Sequence, residues 1–133
     1  MATTKINPSE LYDSVRYGFS HAVKGGGGEL IHCAGQLAWD KDYNLIGAGD
    51  IGAQARQCLK NLKAALAAAG AGPENVVRIR TYVVGHKPEY LEPVSTALAE
   101  FYGGGEPAPN TWIGVQTLVM PEFLIEIEAT AEI

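Results

Sequence analysis

Two glutamates near the end of the chain have the type and spacing of residues that do chemistry. Glu126 and Glu128 alternate with isoleucines, a period of two that predicts a β-strand with both carboxylates on one face. A carboxylate partly removed from water has a raised pKa and can act as a general base. Glu126 is nearer the start of the strand, where a cleft at a subunit boundary can hold it, so it is the candidate catalytic residue. For Glu128 we favour a structural role, at a solvated edge or in an ion pair with Arg78 and Arg80 if their strand is its neighbour.

The three histidines do not have the spacing of metal ligands. His21, His32 and His86 form no i, i+4 pair and lie near no cysteine cluster, so we predict neither a metal nor a cofactor. A hairpin centred between Gly26 and Gly27 places His21 opposite His32. Two interpretations of this pair stay open: half-exposed histidines on a pleated surface, or accessory groups of a site.

Two further motifs resemble ligand sites without meeting their requirements. The run Gly25–Gly28 is not followed by G-K-[ST] and does not open a helix, so it predicts a turn and not a phosphate-binding loop. The stretch 40–51 begins with the oxygen-bearing spacing of a calcium loop. Leu45, however, stands where that loop needs glycine, and Ile51 stands where it needs a bidentate carboxylate. We therefore predict no calcium site.

Composition restricts the class of protein and its partners. A chain of 133 residues fits one domain, 1–133. A net charge of −5 with ten basic residues offers little to a polyanion, so we predict no nucleic-acid partner. No segment reaches the roughly 18 apolar residues of a membrane span, and the first residues lack the features of a signal or transit peptide. Cys33 and Cys58 lack C-x-x-C spacing and are predicted to be reduced. We expect a cytoplasmic protein without a membrane partner.

The elements that position these residues follow from turn residues and periodicity. Segments 17–23 and 29–37 are β-rich and flank the glycine run, which predicts a hairpin. Asp50 is the predicted N-cap of a first helix, and a second helix, with apolar residues at helical spacing, ends at Gly103. Three more strands are predicted at 76–84, 111–118 and 123–132. In the first of these, Val77 is predicted to lie on the same face as the buried residues that follow it at a spacing of two.

The resulting order, ββαβαββ, predicts an α/β chain of the α+β type, with a mixed sheet and both helices on one sheet face. The other face then has no cover. Charged residues make up only 19% of the chain, below the usual quarter. A second copy of the same chain is the simplest cover for such a face, so we expect a symmetric homo-oligomer.

Three stretches of the sequence are distinctive together: Phe19-Ser20-His21-Ala22-Val23 with Ala34-Gly35-Gln36, the helix from Gly52-Ala53-Gln54-Ala55-Arg56-Gln57 to Ala68-Ala69-Gly70, and Pro121 to Ala129 around Ile125-Glu126-Ile127-Glu128. They resemble the RidA/YjgF family of enamine/imine deaminases over nearly the whole chain. The resemblance implies a chorismate-mutase-like fold and a homotrimer with three ligand clefts between subunits. It also implies that water adds to the C=N carbon of a reactive imine, which releases ammonia and a keto acid.

The resemblance also assigns site residues, some of them retained. Glu126 matches the family's pocket glutamate, and Gly35 matches the glycine whose backbone borders the ligand. The arginine that clamps the substrate carboxylate is replaced by Asn110, with Thr111 as the fallback equivalent. Neither residue is cationic.

Other pocket positions are less polar than in the family deaminases. Phe19 replaces a tyrosine, Ala34 a serine or threonine, Ser95 an asparagine and Trp112 a cysteine. Trp112 is expected to stack on a flat ring. Loss of a bidentate charged clamp costs ~2–5 kcal/mol, so amino-acid-derived imines are predicted to be poor substrates. The expected ligand is a small molecule that is uncharged or lacks a carboxylate at that end.

Two functions are compatible with these residues, and a third conflicts with them. The first is hydrolysis of an imine, enamine or related activated small molecule, with Glu126 orienting water. The second is a non-catalytic trimer that binds a metabolite in the same clefts. Ribonuclease or translation-inhibitor activity, which is also ascribed to the family, conflicts with the acidic charge. Arg78 or Arg80 as a replacement for the missing guanidinium is an alternative, although both project from a different strand.

Overall fold

The computed structural model describes residues 2–133 and has eight regular elements besides short 3-10 turns. The elements are β1 (Thr4–Ile6), β2 (Ala22–Lys24), β3 (Leu30–Gln36), α1 (Ile51–Ala68), β4 (Val76–Val84), α2 (Leu91–Tyr102), β5 (Asn110–Val115) and β6 (Ile125–Glu132). The predicted order is confirmed, with one short strand added at the start. No helix within the described residues has the length and hydrophobicity needed to cross a membrane.

Four strands form the main sheet in the order β3-β6-β4-β5. β4 and β5 are parallel and the other pairs are antiparallel, so the sheet is mixed, as predicted. The two helices cover one face, where Ile79, Val83, Ile125 and Ile127 are fully buried. Residues of the opposite face, such as Leu30 with 56% exposure, are exposed or half-buried, except for Glu132 at the end of β6, which is buried. The glutamate and isoleucine faces of β6 are therefore separated as the alternation predicted.

The helix boundaries follow the local chemistry that predicted them. The Asp50 carboxylate accepts a hydrogen bond from the Ala53 N–H at 3.1 Å, which caps α1. Gly103 ends α2 with a φ of 57°, a left-handed conformation that glycine adopts without steric cost. The prediction for Val77 was wrong. A register shift between Val76 and Arg78 places Val76 in the core and leaves Val77 half-buried.

The predicted hairpin between segments 17–23 and 29–37 was also wrong. β2 pairs with β1, whereas β3 pairs with β6. His21 and His32 consequently do not face each other, and the register partner of His32 is Thr130. The reason is that the four-glycine loop does not form the tight turn that would place β2 beside β3.

The glycine loop instead binds a carboxylate of the same chain. The N–H groups of Gly26 and Gly28 each donate to Glu132 Oε1 at 2.8 Å. A Cβ on Gly28 would lie 2.2 Å from the carbonyl oxygen of Ile133, a distance that no side chain tolerates. The loop is thus an anion-binding nest that holds the end of β6.

This contact predicts a pH-dependent contribution to stability. The backbone N–H groups of Gly28 and Gly26 hold the pKa of Glu132 below its usual value. Stability from such a group is present above the unfolded-state pKa, near 4.3, and is lost as the pH falls through the folded-state pKa. We expect Glu132→Gln to lower the thermal midpoint at pH 7, and the difference from the parent protein to shrink towards pH 3.

Thermal unfolding followed by circular dichroism across this pH range measures the effect. The matched control is Glu89→Gln, because Glu89 is exposed. An equal loss of stability in both variants, or a loss for Glu132→Gln that does not depend on pH, would contradict the role of the nest.

Candidate functional site

The predicted site residues fall into two groups on opposite faces of the main sheet. Asn110 and Trp112 pair with Ile79 and Thr81 of β4, so they lie on the helix side. Glu126 is half-buried on the other side, among the residues that alternate with the buried isoleucines. One chain therefore does not bring Glu126 together with Asn110 and Trp112.

The first group lines a cavity of about 510 Å³ at the edge strand β5, here called the aromatic cavity. Five of the predicted site residues meet there, which are Phe19, Ser95, Asn110, Thr111 and Trp112. Three more residues complete the wall and were not predicted, namely Tyr12, Tyr17 and Leu91. The only sequence signal for the two tyrosines is their closeness to Phe19. A loop has no period from which the direction of a side chain can be inferred.

The N-terminal wall of the aromatic cavity is held by contacts to β5 and within the segment itself. The Ser20 N–H donates to the Ala108 carbonyl at 3.1 Å, which fixes the segment beside the start of β5. The Tyr12 ring stands edge-on to the rings of Phe19 and His21, with centroids 6.4 and 4.8 Å apart. His21 Nε2 lies 2.8 Å from the Tyr12 carbonyl oxygen. The contacts of His21 are thus those of a support for the aromatic wall.

The buried side chain of Thr81 orients Asn110. Thr81, which is fully buried, donates its hydroxyl hydrogen to Asn110 Oδ1 at 3.1 Å. This bond occupies the amide oxygen, and the amide NH₂ makes no hydrogen bond within residues 2–133. The NH₂ group is therefore a neutral donor available at the cavity.

Trp112 is oriented by His86, a histidine for which the sequence indicated no role. Its indole Nε1–H donates to His86 Nδ1 at 3.1 Å, and the two rings are 5.5 Å apart and nearly perpendicular. The indole N–H is thereby satisfied, with His86 Nδ1 as its acceptor. This contact joins the end of β4 to β5, a pairing that spacing alone does not reveal.

This contact predicts the behaviour of the indole N–H. We expect His86→Leu to increase the solvent exchange rate of the Trp112 Nε1–H about fivefold, because one hydrogen bond contributes ~1 kcal/mol. His86→Asn should keep the slow rate, since the asparagine Oδ1 is an acceptor placed like Nδ1. Exchange of the two indole signals in ¹H–¹⁵N spectra measures this, with Trp39 as the internal reference. Equal rates in both variants would show that His86 does not hold the indole.

The second group surrounds Glu126 and is here called the carboxylate face. β3 has a register shift between Cys33 and Gln36, and this bulge contains Ala34, which is exposed, and Gly35. A Cβ on Gly35 would lie 2.0 Å from Glu126 Oε2. The carboxylate thus occupies the space that only glycine leaves free, which explains the pairing of these two residue types.

The environment of Glu126 raises its pKa. Desolvation by burial is the larger cause and the negative charge of Glu128 the smaller one. A carboxyl group with a raised pKa can take a proton from water and return it to a leaving group near neutral pH. The carboxylate face therefore has the chemistry of a general base.

Glu128 has a different partner from the one predicted. Its strand does neighbour β4, with Arg80 directly opposite, but no ion pair forms there. The only ion pair within residues 2–133 joins Arg56 to Glu100 at 2.9 Å. Glu128 instead accepts a hydrogen bond from the Tyr82 hydroxyl, and β6 is an inner strand and not an edge. The predicted ion pair and the predicted edge position were both wrong. The Tyr82 phenol is the hydrogen-bond partner of the Glu128 carboxylate, and Arg80 Nε is buried without a hydrogen-bond partner.

The remaining candidates occupy other positions. His32 is exposed on β3, and Arg78 lines a separate groove of about 390 Å³ that also reaches Asn110 and Thr111. Within the described residues, no three His, Cys, Asp or Glu side chains lie close enough together to hold a metal ion. Both cysteines are free, as predicted, and burial raises the pKa of the Cys58 thiol to about 12.

The chain is similar to a known protein family and to solved structures. The sequence model of the family described as Endoribonuclease L-PSP matches residues 12–133. A RutC family protein of Pyrococcus horikoshii, PH0854, is 34% identical over 114 residues, which are 85% of each chain.

Two crystal structures have the same fold over the whole chain. The Rid family protein YyfB from Yersinia pestis, described as of unknown function, is 50% identical, with all of both chains covered and a TM-score of 0.96. Rv2704 from Mycobacterium tuberculosis, a member of the YjgF/YER057c/UK114 family, is 30% identical over 99% of this chain and 100% of its own, with a TM-score of 0.65. The chain therefore belongs to the RidA/YjgF family, as the resemblance implied, and has the α+β fold of that family.

Proposed function

We propose that this protein hydrolyses a reactive imine or enamine that lacks the usual carboxylate. The observation that carries the proposal is the Glu126 carboxylate packed against Gly35, with its pKa raised by burial. Glu126 takes a proton from water as the water oxygen bonds to the C=N carbon, and it passes that proton to the nitrogen to give a neutral carbinolamine. Glu126 then takes the proton of the carbinolamine hydroxyl and passes it to the amino nitrogen, so that the C–N bond breaks, ammonia leaves and the carbonyl product forms.

The proposal places the reaction in clefts between subunits of a homotrimer. Two observations support it. The sheet face that bears Glu126 is not covered by the helices, and the aromatic cavity lies on the opposite side of the same sheet. A neighbouring copy both covers the exposed face and brings its own cavity towards Glu126. Light scattering should give three times the chain mass of 14.1 kDa.

The test uses a stable, neutral N–H imine as substrate. Benzophenone imine carries no carboxylate and hydrolyses to benzophenone and ammonia, which can be followed by mass spectrometry and an ammonia assay. We expect product formation well above the buffer rate. Binding of the imine without product would favour the second candidate, a metabolite-binding trimer, which the loss of the cationic clamp at Asn110 supports.

A further inference from the structure

The aromatic cavity has a lining that specifies the class of molecule it takes. We propose that it selects a flat, uncharged aromatic ring that carries a neutral hydrogen-bond acceptor beside the ring. This inference rests on the proposed function for the reaction at Glu126, but its test is a binding measurement that does not need turnover.

Several large apolar side chains are exposed together at the aromatic cavity. Tyr12 is 63% exposed, Tyr17 53% and Leu91 48%, and all three line the cavity with the rings of Phe19 and Trp112. Soluble proteins rarely leave such a cluster in water unless it binds something. The cavity volume of about 510 Å³ lies within the ~300–1,000 Å³ usual for small-molecule sites.

Trp112 and Phe19 offer a ligand their ring faces and no free polar atom. The Trp112 N–H is already bonded to His86, so the indole has no remaining donor and offers an apolar surface. Phe19 has no polar atom at all and stands edge-on to Tyr12. Aromatic groups prefer offset-stacked or edge-to-face contacts with other rings. A flat ring satisfies both neighbours, whereas a puckered aliphatic ring of the same size does not.

The polar groups of the cavity are neutral. No charged residue lines it. Arg16 lies over the Tyr17 ring, with its guanidinium carbon 5.3 Å from the ring centroid, outside the lining. The free donor is the Asn110 NH₂, whose orientation Thr81 sets. A carbonyl or imine acceptor matches this donor, whereas a carboxylate would lose its hydration without a cation to compensate.

Three matched probes separate these features. Benzamide has a flat ring and a neutral acceptor, cyclohexanecarboxamide has the same acceptor on a puckered ring, and benzoate has the flat ring with a carboxylate. We expect calorimetry or ligand-observed NMR with the full chain to show benzamide binding about three- to tenfold more tightly than cyclohexanecarboxamide. Benzamide should also bind at least about tenfold more tightly than benzoate. No binding of benzamide, equal binding of the two amides, or tighter binding of benzoate would each overturn the proposal.

Variants assign the preference to the cavity. Trp112→Leu should bring the affinities for benzamide and cyclohexanecarboxamide close together, whereas Trp112→Phe, which keeps a ring, should retain most of the preference. A preference that survives Trp112→Leu in a folded protein would overturn the assignment. Glu126→Gln should keep the preference for benzamide over cyclohexanecarboxamide, because these two neutral probes differ only in the ring and Glu126 acts on the bond to nitrogen. The ligand class and the catalytic proposal can therefore fail separately.

Discussion

Glu126→Gln should reduce the turnover of benzophenone imine by about 10²- to 10⁴-fold, the usual contribution of a general base. Glutamine has the same shape, so the contact with Gly35 is kept, but it cannot take a proton from water. Steady-state rates corrected for the buffer reaction measure the loss. Unchanged turnover would remove Glu126 from the mechanism.

Glu128→Gln is the matched control for this prediction, because Glu128 lies two positions further along the same strand face. Glutamine can still accept the hydrogen bond from Tyr82, so we expect the maximal rate to stay near that of the parent protein. The negative charge of Glu128 raises the pKa of Glu126, so its removal should lower that pKa. The acid limb of the pH–rate profile should therefore move to lower pH. A shift to higher pH would contradict the assignment of this limb to Glu126.

Asn110→Arg should convert the protein towards carboxylated imines. A bidentate guanidinium–carboxylate pair in a desolvated site is worth ~2–5 kcal/mol, which corresponds to about thirty- to several-thousand-fold in kcat/KM. The substrate is the imine that an L-amino-acid oxidase forms from phenylalanine, followed as phenylpyruvate. It carries both the aromatic ring and the carboxylate that the parent cavity lacks a cation to bind.

Asn110→Gln controls for the longer side chain without the charge, and it should leave the carboxylated imine a poor substrate. If the parent protein already turns over this imine as fast as Asn110→Arg does, the missing clamp is not what limits specificity. In that case the groove shared by Arg78, Asn110 and Thr111 would supply the guanidinium. Arg78→Gln would then abolish the activity towards the carboxylated imine.

Much of the fold was predictable because it depends on short-range chemistry. The alternation around Glu126 separates the faces of β6, and the Asp50 carboxylate caps α1 within the same turn of chain. The wrong hairpin prediction and the unpredicted contact of the glycine loop have a common cause. The partners of β2 and of the glycine loop come from remote segments, and Gly26 is 106 positions from Glu132. A glycine run shows that the chain can bend but does not show which acceptor its N–H groups will meet.

The candidate site divides in the same way. The family resemblance identified Phe19, Asn110 and Trp112, and the structure places all three in one cavity. The resemblance did not identify Tyr12 or His86. Tyr12 belongs to a loop, which has no period, and His86 acts only through the indole of Trp112.

The sequence by itself determined which residue types are available: a glutamate placed to act as a base, no cation at the clamp position, and aromatic residues in its place. Only the tertiary structure decided which of them meet. Glu126 and Asn110 lie on opposite faces of the main sheet. Glu128 accepts a hydrogen bond from Tyr82 and forms no ion pair with an arginine, and the N–H groups of the glycine run bind Glu132. The physical reason is that strand pairing and the burial of polar groups are settled between distant segments, each of which must satisfy its hydrogen bonds when the chain closes on itself.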